Sequence, residues 1–172
     1  CNDKPMSERK RRAIELFEQG KNREATAVLS EDEIAEDARR AVDKIVQGKA
    51  LIEVGNELYE KGISDIKSLI DEYILRAKSL MSDTSNDKRL ELSCRSYENA
   101  INLAEANLER IEYADLMNDY GRFLFENRQY HLVEKWYKKS ISIYLDLYSD
   151  SDITLILKVG RLGTNIGKLY HK

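Results

Sequence analysis

The chain has 172 residues, 42% of them hydrophobic, and a formal net charge of −3, which suits one domain or one domain with an extension. The hydrophobic content is too high for a disordered chain, and the acidic balance disfavours general nucleic-acid binding. The single proline is Pro5, so no proline interrupts a helix from Met6 onwards. No uninterrupted apolar run exceeds three residues, which predicts neither a membrane span nor a signal peptide. We therefore expect an all-α protein.

Cysteine and histidine are too few and too scattered to suggest a metal centre or a disulfide framework. Cys1 and Cys94 lack the spacing of a metal-binding pair, and His131 and His171 form no ligand pair on one helical face. A structural zinc site needs about four ligands, and no local cluster approaches that number. We expect no metal and no cofactor.

The first residue, Cys1, has two interpretations. One is the lipid-bearing cysteine of a bacterial lipoprotein, followed by a polar tether at residues 2–5, which would anchor the protein to a membrane. The other is the boundary of a fragment cut from a longer polypeptide. The second interpretation is favoured, with a cytoplasmic location, because a single terminal residue carries little information.

Residues 1–29 are predicted to form an N-terminal tail and a short helix hairpin. An apolar patch at helical spacing begins at Ala13, and Gly20 is placed to end the first helix. Residues 9–12 form a dense basic run of arginine and lysine. We interpret this run as a solvated helix face, and contact with an anionic membrane or nucleic acid is the alternative.

Residues 30–82 are predicted to form one long helix or two nearly collinear helices. Ser30 and Glu33 form a capping box at the start. Apolar and small residues then recur at spacings of three and four, the pattern of a coiled-coil seam. The seam residues are Ile34, Ala38, Ala41, Ile45, Gly48, Ile52, Gly55 and Tyr59, followed by Ile66, Leu69, Tyr73, Ala77 and Leu80. Gly62 is the candidate break because Ser64 can cap a new helix, and continuity through Gly62 stays open.

Residues 83–172 are predicted to form helices joined by short polar turns. The segment 82–87 is rich in residues that favour loops. Helices are predicted at about 88–110, 113–127, 129–148 and from 153 onwards. Antiparallel helix pairs with complementary apolar faces predict a helical array.

The most informative pattern is an internal repeat. Gly121 and Gly163 occupy equivalent places in two helices, 42 residues apart, and Tyr130 and Tyr137 line the helix that follows Gly121. This pattern resembles the tetratricopeptide repeat (TPR), and its period is closer to the long repeats of kinesin light chains than to the usual ~34 residues. The resemblance makes Gly121 the small residue that lets the second helix approach closely. Alanine is expected to be tolerated there.

The TPR resemblance also implies a fold and a function. The fold is a right-handed superhelix of antiparallel helix hairpins, preceded by the long coiled-coil-like helix. The function is that of a scaffold that binds a peptide or a partner protein on the concave face, which the first helix of each pair lines. By position in the motif, the partner-binding residues are Asp115, Asn118, Asp119, Arg122, Phe125 and Arg161.

No catalytic constellation emerges from the sequence. The glycine-spaced run at 160–167 lies in a helical pattern, whereas a phosphate-binding loop would follow a strand. Cys94 and His131 lack an orienting third group. We therefore expect a non-catalytic protein that binds another protein or a peptide, as a monomer or a homodimer. The alternative is a structural segment in which the seam of residues 30–82 forms a coiled coil and holds an oligomer together.

Overall fold

A computed structural model describes residues 6–51, 55–147 and 153–169, so Cys1, the tether after it and the turn at 149–152 lie outside the described residues. The described residues form helices and no strand, which confirms the all-α class. The helices are α1 (Glu8–Glu18), α2 (Asn22–Val28), α3 (Glu31–Ala50), α4 (Gly55–Ser82), α5 (Arg89–Asn107), α6 (Arg110–Glu126), α7 (Tyr130–Leu147) and α8 (Ile153–Leu169).

The helices divide into two compact units. The first unit ends at Asn107 and contains α1 to α5, and the second begins at Leu108 and contains α6 to α8. The division predicted at residues 82 and 83 falls inside the first unit, because α5 packs against α4. The loop between these two helices is where the sequence predicts it, and Asp83 accepts a hydrogen bond from the amide of Ser85 at 3.2 Å.

Local capping chemistry sets the ends of the first helices. Ser7 Oγ accepts a hydrogen bond from the amide of Lys10 at 3.1 Å and begins α1. Gly20 has a φ of 73°, and its left-handed backbone ends α1 as predicted. Ser30 takes the N-cap position of α3, but its side chain makes no capping hydrogen bond, so the predicted capping box is only half correct.

The expectation of one long or two collinear helices over residues 30–82 is wrong. Helices α3 and α4 fold back on each other as an antiparallel hairpin, and Lys44 pairs with Asp65 at 2.8 Å. Gly62 does not break α4; a Cβ there would lie only 3.0 Å from the carbonyl oxygen of Ala41. In a collinear arrangement these two residues would be about 30 Å apart. The predicted seam on α3 is therefore buried within the hairpin, with Ile45 4% exposed.

Two side chains of the basic run at residues 9–12 form ion pairs inside the first unit. Arg9 donates hydrogen bonds to Glu72 on α4 and to Asp37 on α3, both at 2.7 Å. Lys10 pairs with Asp71 at 2.7 Å. Burial opposes the charge of Arg9, but the hydrogen bonds and charges of Glu72 and Asp37 outweigh it and raise the pKa of Arg9. The run fixes α1 on the hairpin.

In the second unit, α6 and α7 form a hairpin whose turn lies at the predicted Asn127 and Arg128. Gly121 is the point of close approach, as predicted, because a Cβ there would lie 2.6 Å from the Cδ1 atom of Tyr137. That distance overturns the expectation that alanine is tolerated at Gly121. Gly163 is not an equivalent point of close approach, since a Cβ there would meet no atom within 4 Å among the described residues.

Candidate functional site

The face predicted to bind a partner lies on α6 and α8. Asp115 is half-buried, and its carboxylate accepts hydrogen bonds from Lys158 Nζ at 2.7 and 2.8 Å. The same carboxylate accepts a hydrogen bond from the hydroxyl of Tyr144 on α7. Asp115 therefore joins all three helices of the second unit and is engaged in holding them together.

The other predicted residues are half-buried or exposed and are not gathered around Asp115. Asp119 and Arg122 form an ion pair within α6. The ring of Phe125 packs edge-on against Tyr130, with ring centroids 5.4 Å apart. Asn118 is half-buried and Arg161 is exposed on α8. These residues form an exposed face of mixed charge.

Tyr144 lies beneath the ion pair of Asp115 and Lys158 and is fully buried. The ammonium group of Lys158 is 5.3 Å from the centre of the Tyr144 ring, a distance at which a cation is attracted to an aromatic face. Burial, reinforced by the hydrogen bond to Asp115, raises the pKa of Tyr144. A charged pair over a neutral tyrosine thus links α6 and α8.

The first unit contains an open groove between α3 and α5, which we call the α3/α5 groove. Its volume is about 690 Å³, and Tyr73 of α4, 4% exposed, belongs to its lining. Its lining residues are Glu31, Asp32, Ala35, Ala38, Arg39, Val42, Asp43, Tyr73, Asn99, Asn102, Leu103, Ala106 and Asn107. The apolar members of this set are mostly small, so the walls are shallow and smooth.

The groove follows from the way α4 packs against both of its neighbours. Helix α3 is antiparallel to α4, and α5 is also antiparallel to α4, with Ser93 Oγ donating to the carbonyl of Ala77 at 2.8 Å. Helices α3 and α5 therefore run in the same direction. The groove wall on α3 extends from Asp32 to Asp43, about 17 Å.

One end of the α3/α5 groove is fixed by a polar cluster. Glu31 at the start of α3 accepts hydrogen bonds from Arg95 at 2.8 Å and from Asn99 at 3.1 Å. Arg76 lies 3.8 Å from Glu31 and donates to the carbonyl oxygen of Leu29 at 2.8 Å, at the end of α2. These bonds tie the start of α3 to the middle of α5, and α4 to the end of α2.

The rim of the groove is acidic. Asp32 and Asp43 are exposed at its two ends. Arg39 is the one cationic side chain in the lining, and it pairs with Glu36 of its own helix. Burial, followed by the negative charge of Glu31, raises the pKa of Tyr73, so its ring remains uncharged at neutral pH. A positively charged ligand is therefore electrostatically preferred.

The groove was not predicted from the sequence. A weak signal exists on α3, where Ala35, Ala38 and Val42 repeat at helical spacing beside the seam residues. On α5, Leu103 and Ala106 show a similar spacing. Neither stripe carries a motif, and only the packing on α4 brings them opposite each other.

No family model matches this chain, and neither a curated protein nor a solved structure does. In the parts of the chain that the structure describes, none of the helices combines the length and the apolar character that a bilayer span needs. Within the same residues, no three His, Cys, Asp or Glu side chains come together in a way that would hold a metal ion. What the α3/α5 groove can bind follows from its own shape and charge.

Proposed function

We propose that this chain is a non-catalytic interaction module that binds a helix of a partner protein in the α3/α5 groove. The observation that carries the proposal is the open, apolar-lined groove between two helices that run in the same direction. An amphipathic helix can place its apolar face in such a groove while its polar face remains in water. The resemblance to tetratricopeptide repeats supports the same kind of function.

The shape of the groove favours a helix over a flat protein surface. Its wall is about three helical turns long, and the small side chains Ala35, Ala38 and Ala106 leave room for a partner backbone to approach. The largely buried side chain of Tyr73 belongs to the lining. The exposed amide of Asn102 can bond polar groups on the flank of the bound helix.

The charge of the groove favours a basic partner. Asp32 and Asp43 lie on the rim, whereas Arg39 is already paired with Glu36. Complementary charge speeds encounter and excludes partners of the same sign more than it adds affinity. The proposed ligand is therefore an amphipathic helix with lysine or arginine beside its apolar face.

The face of Asn118, Arg122, Phe125 and Arg161 remains a second surface for a partner, as the TPR resemblance implies. Asp115 contributes to it less than predicted because its carboxylate is bound to Lys158. The alternative function, a coiled coil through residues 30–82, has less support, since the seam on α3 is buried against α4.

The test uses a synthetic amphipathic peptide of leucine and lysine as the probe. We expect the full chain to bind it, with hydrogen exchange slowed in α3 and α5. Ala106→Arg places a bulky positive charge on an exposed position of the groove wall, and we expect it to abolish binding. Ala50→Arg is the matched control, because Ala50 is exposed on α3 outside the groove lining, and it should bind the probe as the native chain does.

Two further outcomes decide the proposal. A peptide in which glutamate replaces lysine should bind more weakly, because the rim is acidic. The proposal fails if the native chain does not bind the leucine–lysine peptide, or if Ala106→Arg and Ala50→Arg bind it equally well.

A further inference from the structure

Helix α8 carries a face that nothing covers in the described residues. Leu162 is 1% exposed and packs toward the second unit, whereas Ile156 and Leu157 are 46% and 56% exposed. Large apolar side chains that are exposed side by side mark an interaction surface more often than single ones do. The covered and uncovered sides of α8 are therefore distinct.

The uncovered side of α8 is smooth. Gly160, Gly163 and Gly167 follow Ile156 at spacings of four, three and four, which places all four residues on one stripe. A Cβ at any of the three glycines would meet no atom of the described residues within 4 Å. In a helix interior each glycine costs about 1 kcal/mol relative to alanine, so the stripe lowers helix stability and gives in return a surface on which another backbone can lie closely.

Helix α8 is also basic. Its sequence contains Lys158, Arg161 and Lys168 and no aspartate or glutamate. Lys158 is bound to Asp115, but Arg161 is exposed and lies beside the glycine stripe. An apolar, basic helix with one smooth side has the properties proposed above for the ligand of the α3/α5 groove.

We propose that α8 of a second copy of this chain docks in the α3/α5 groove. The inference rests on the proposed function, because it names the helix that the groove binds. The glycine stripe of α8 lies against Ala35 and Ala38 on the groove wall, and Ile156 and Leu157 enter the apolar lining. Arg161 then faces the acidic rim.

Helix α8 is long enough to lie along the whole groove wall. It has 17 residues and is about 25 Å long, and the wall extends about 17 Å. The contact joins two different surfaces, so it is heterologous: it closes a pair when the exchange is reciprocal, and otherwise adds further copies. Self-association that rises with concentration is the expected behaviour in either case.

The experiment is sedimentation equilibrium of the full chain over a range of concentrations, with three variants. We expect the native chain and Ala50→Arg to associate. Ala106→Arg blocks the groove, and Gly163→Leu fills the smooth side of α8 at an exposed position where leucine also favours the helix. Each of these two variants alone is expected to remain monomeric with an unchanged circular dichroism spectrum.

Mixing the two blocked variants gives the decisive measurement. Ala106→Arg keeps a native α8 and Gly163→Leu keeps a native groove, so their mixture should associate although neither does alone. Association in the mixture supports the inference. If the native chain associates but the mixture does not, association uses another surface, and the inference is overturned.

The remaining outcomes separate this inference from the proposed function. If the native chain is monomeric at every concentration, while Gly163→Leu binds the leucine–lysine peptide in its open groove, the assignment of α8 fails and the groove remains a helix-binding site. If the native chain is monomeric and no variant with an open groove binds the peptide, both proposals fail.

Discussion

Each unit contains a set of three consecutive helices, α3 to α5 and α6 to α8, but the outer helices of the two sets are joined differently. In each, the middle helix packs against both neighbours and carries a buried tyrosine, Tyr73 on α4 and Tyr144 on α7. Between α3 and α5 the space above the tyrosine is open, with a volume of about 690 Å³. Between α6 and α8 the ion pair of Asp115 and Lys158 lies over the tyrosine. An ion pair also joins α3 and α5, but it lies at one end of the groove.

The difference also shows in how each tyrosine is held. The Tyr144 hydroxyl donates a hydrogen bond to Asp115, and this bond ties α7 to α6. Tyr73 instead belongs to the lining of the groove, and Glu31 at the start of α3 pairs with Arg95 of α5. Changes on the walls of the α3/α5 groove should therefore affect binding, and changes at Asp115 and Tyr144 should affect stability.

The largest expected effect on stability comes from disturbing the close contact between α3 and α4 at Gly62. Gly62→Ala would put a Cβ 2.6 Å from Ile45 Cγ1 and 3.0 Å from backbone atoms of α3. Backbone cannot rotate away as a flexible side chain can, so α3 must move. We expect a loss of about 3 kcal/mol in the free energy of unfolding, the upper end for overpacking, together with loss of probe binding. Chemical denaturation measures the first and peptide titration the second.

Two matched glycine variants control this prediction. Gly121→Ala meets the ring of Tyr137, a side chain, and is expected to cost less than Gly62→Ala. Gly163→Ala meets open space and should stabilise α8 by up to about 1 kcal/mol. Equal losses at Gly62 and Gly163 would show that the close contact between α3 and α4 is not what the substitution disturbs.

The next largest effect on stability comes from removing the ion pair of Asp115 and Lys158 in the second unit. Asp115→Ala leaves the buried hydroxyl of Tyr144 without its acceptor, which typically costs ~1–3 kcal/mol. Adding Tyr144→Phe removes the hydroxyl as well and should recover part of the loss. Asp43→Ala on the exposed rim of the α3/α5 groove should change stability by less than about 0.5 kcal/mol. If denaturant unfolding shows the same loss of stability for Asp115→Ala and Asp43→Ala, the contacts of Asp115 matter no more to stability than the groove rim does, which contradicts this prediction.

The smallest effect is a pH dependence in the alkaline range. Burial, and then the hydrogen bond to Asp115, raises the pKa of Tyr144 above the ordinary value of 10.0. Above that pH the folded state holds a proton that the unfolded chain has released, so stability present below pH 10.0 is lost as the pH rises toward the folded pKa. The denaturation midpoint should fall over this range less steeply in Tyr144→Phe than in the native chain. Identical slopes for the two proteins would rule out Tyr144 as the group responsible.

The sequence predicts the second unit better than the first. The Gly121 contact with Tyr137 and the turn at Asn127 lie where the repeat pattern puts them, because each depends on residues close together in the chain. The seam from Ile34 to Ile45 is equally regular, but periodicity reports only that a helix has an apolar side. It does not say whether that side meets another chain or the next helix of its own, and here it meets α4.

The α3/α5 groove was beyond sequence reasoning for a related reason. Its lining includes three alanines and three asparagines, residue types that carry no chemical signature on a helix surface. Ala35 and Leu103 come opposite each other only because α4 packs against both of their helices. The sequence also gives no sign that the carboxylate of Asp115 on α6 is bound by Lys158, 43 positions later.

The contact of α1 with α4 has a consequence for synthesis on the ribosome. Ser7 donates a hydrogen bond to Glu72 at 2.6 Å across 65 positions of sequence. At typical elongation rates, about 3–13 s pass between the emergence of these two residues. During that interval the arginines of α1 lack the carboxylate that later neutralises Arg9, and Glu72 is buried, 1% exposed, only once they meet. The first unit therefore cannot assemble in the order in which it is made: α1 leaves the ribosome first and docks only after most of α4 has been translated.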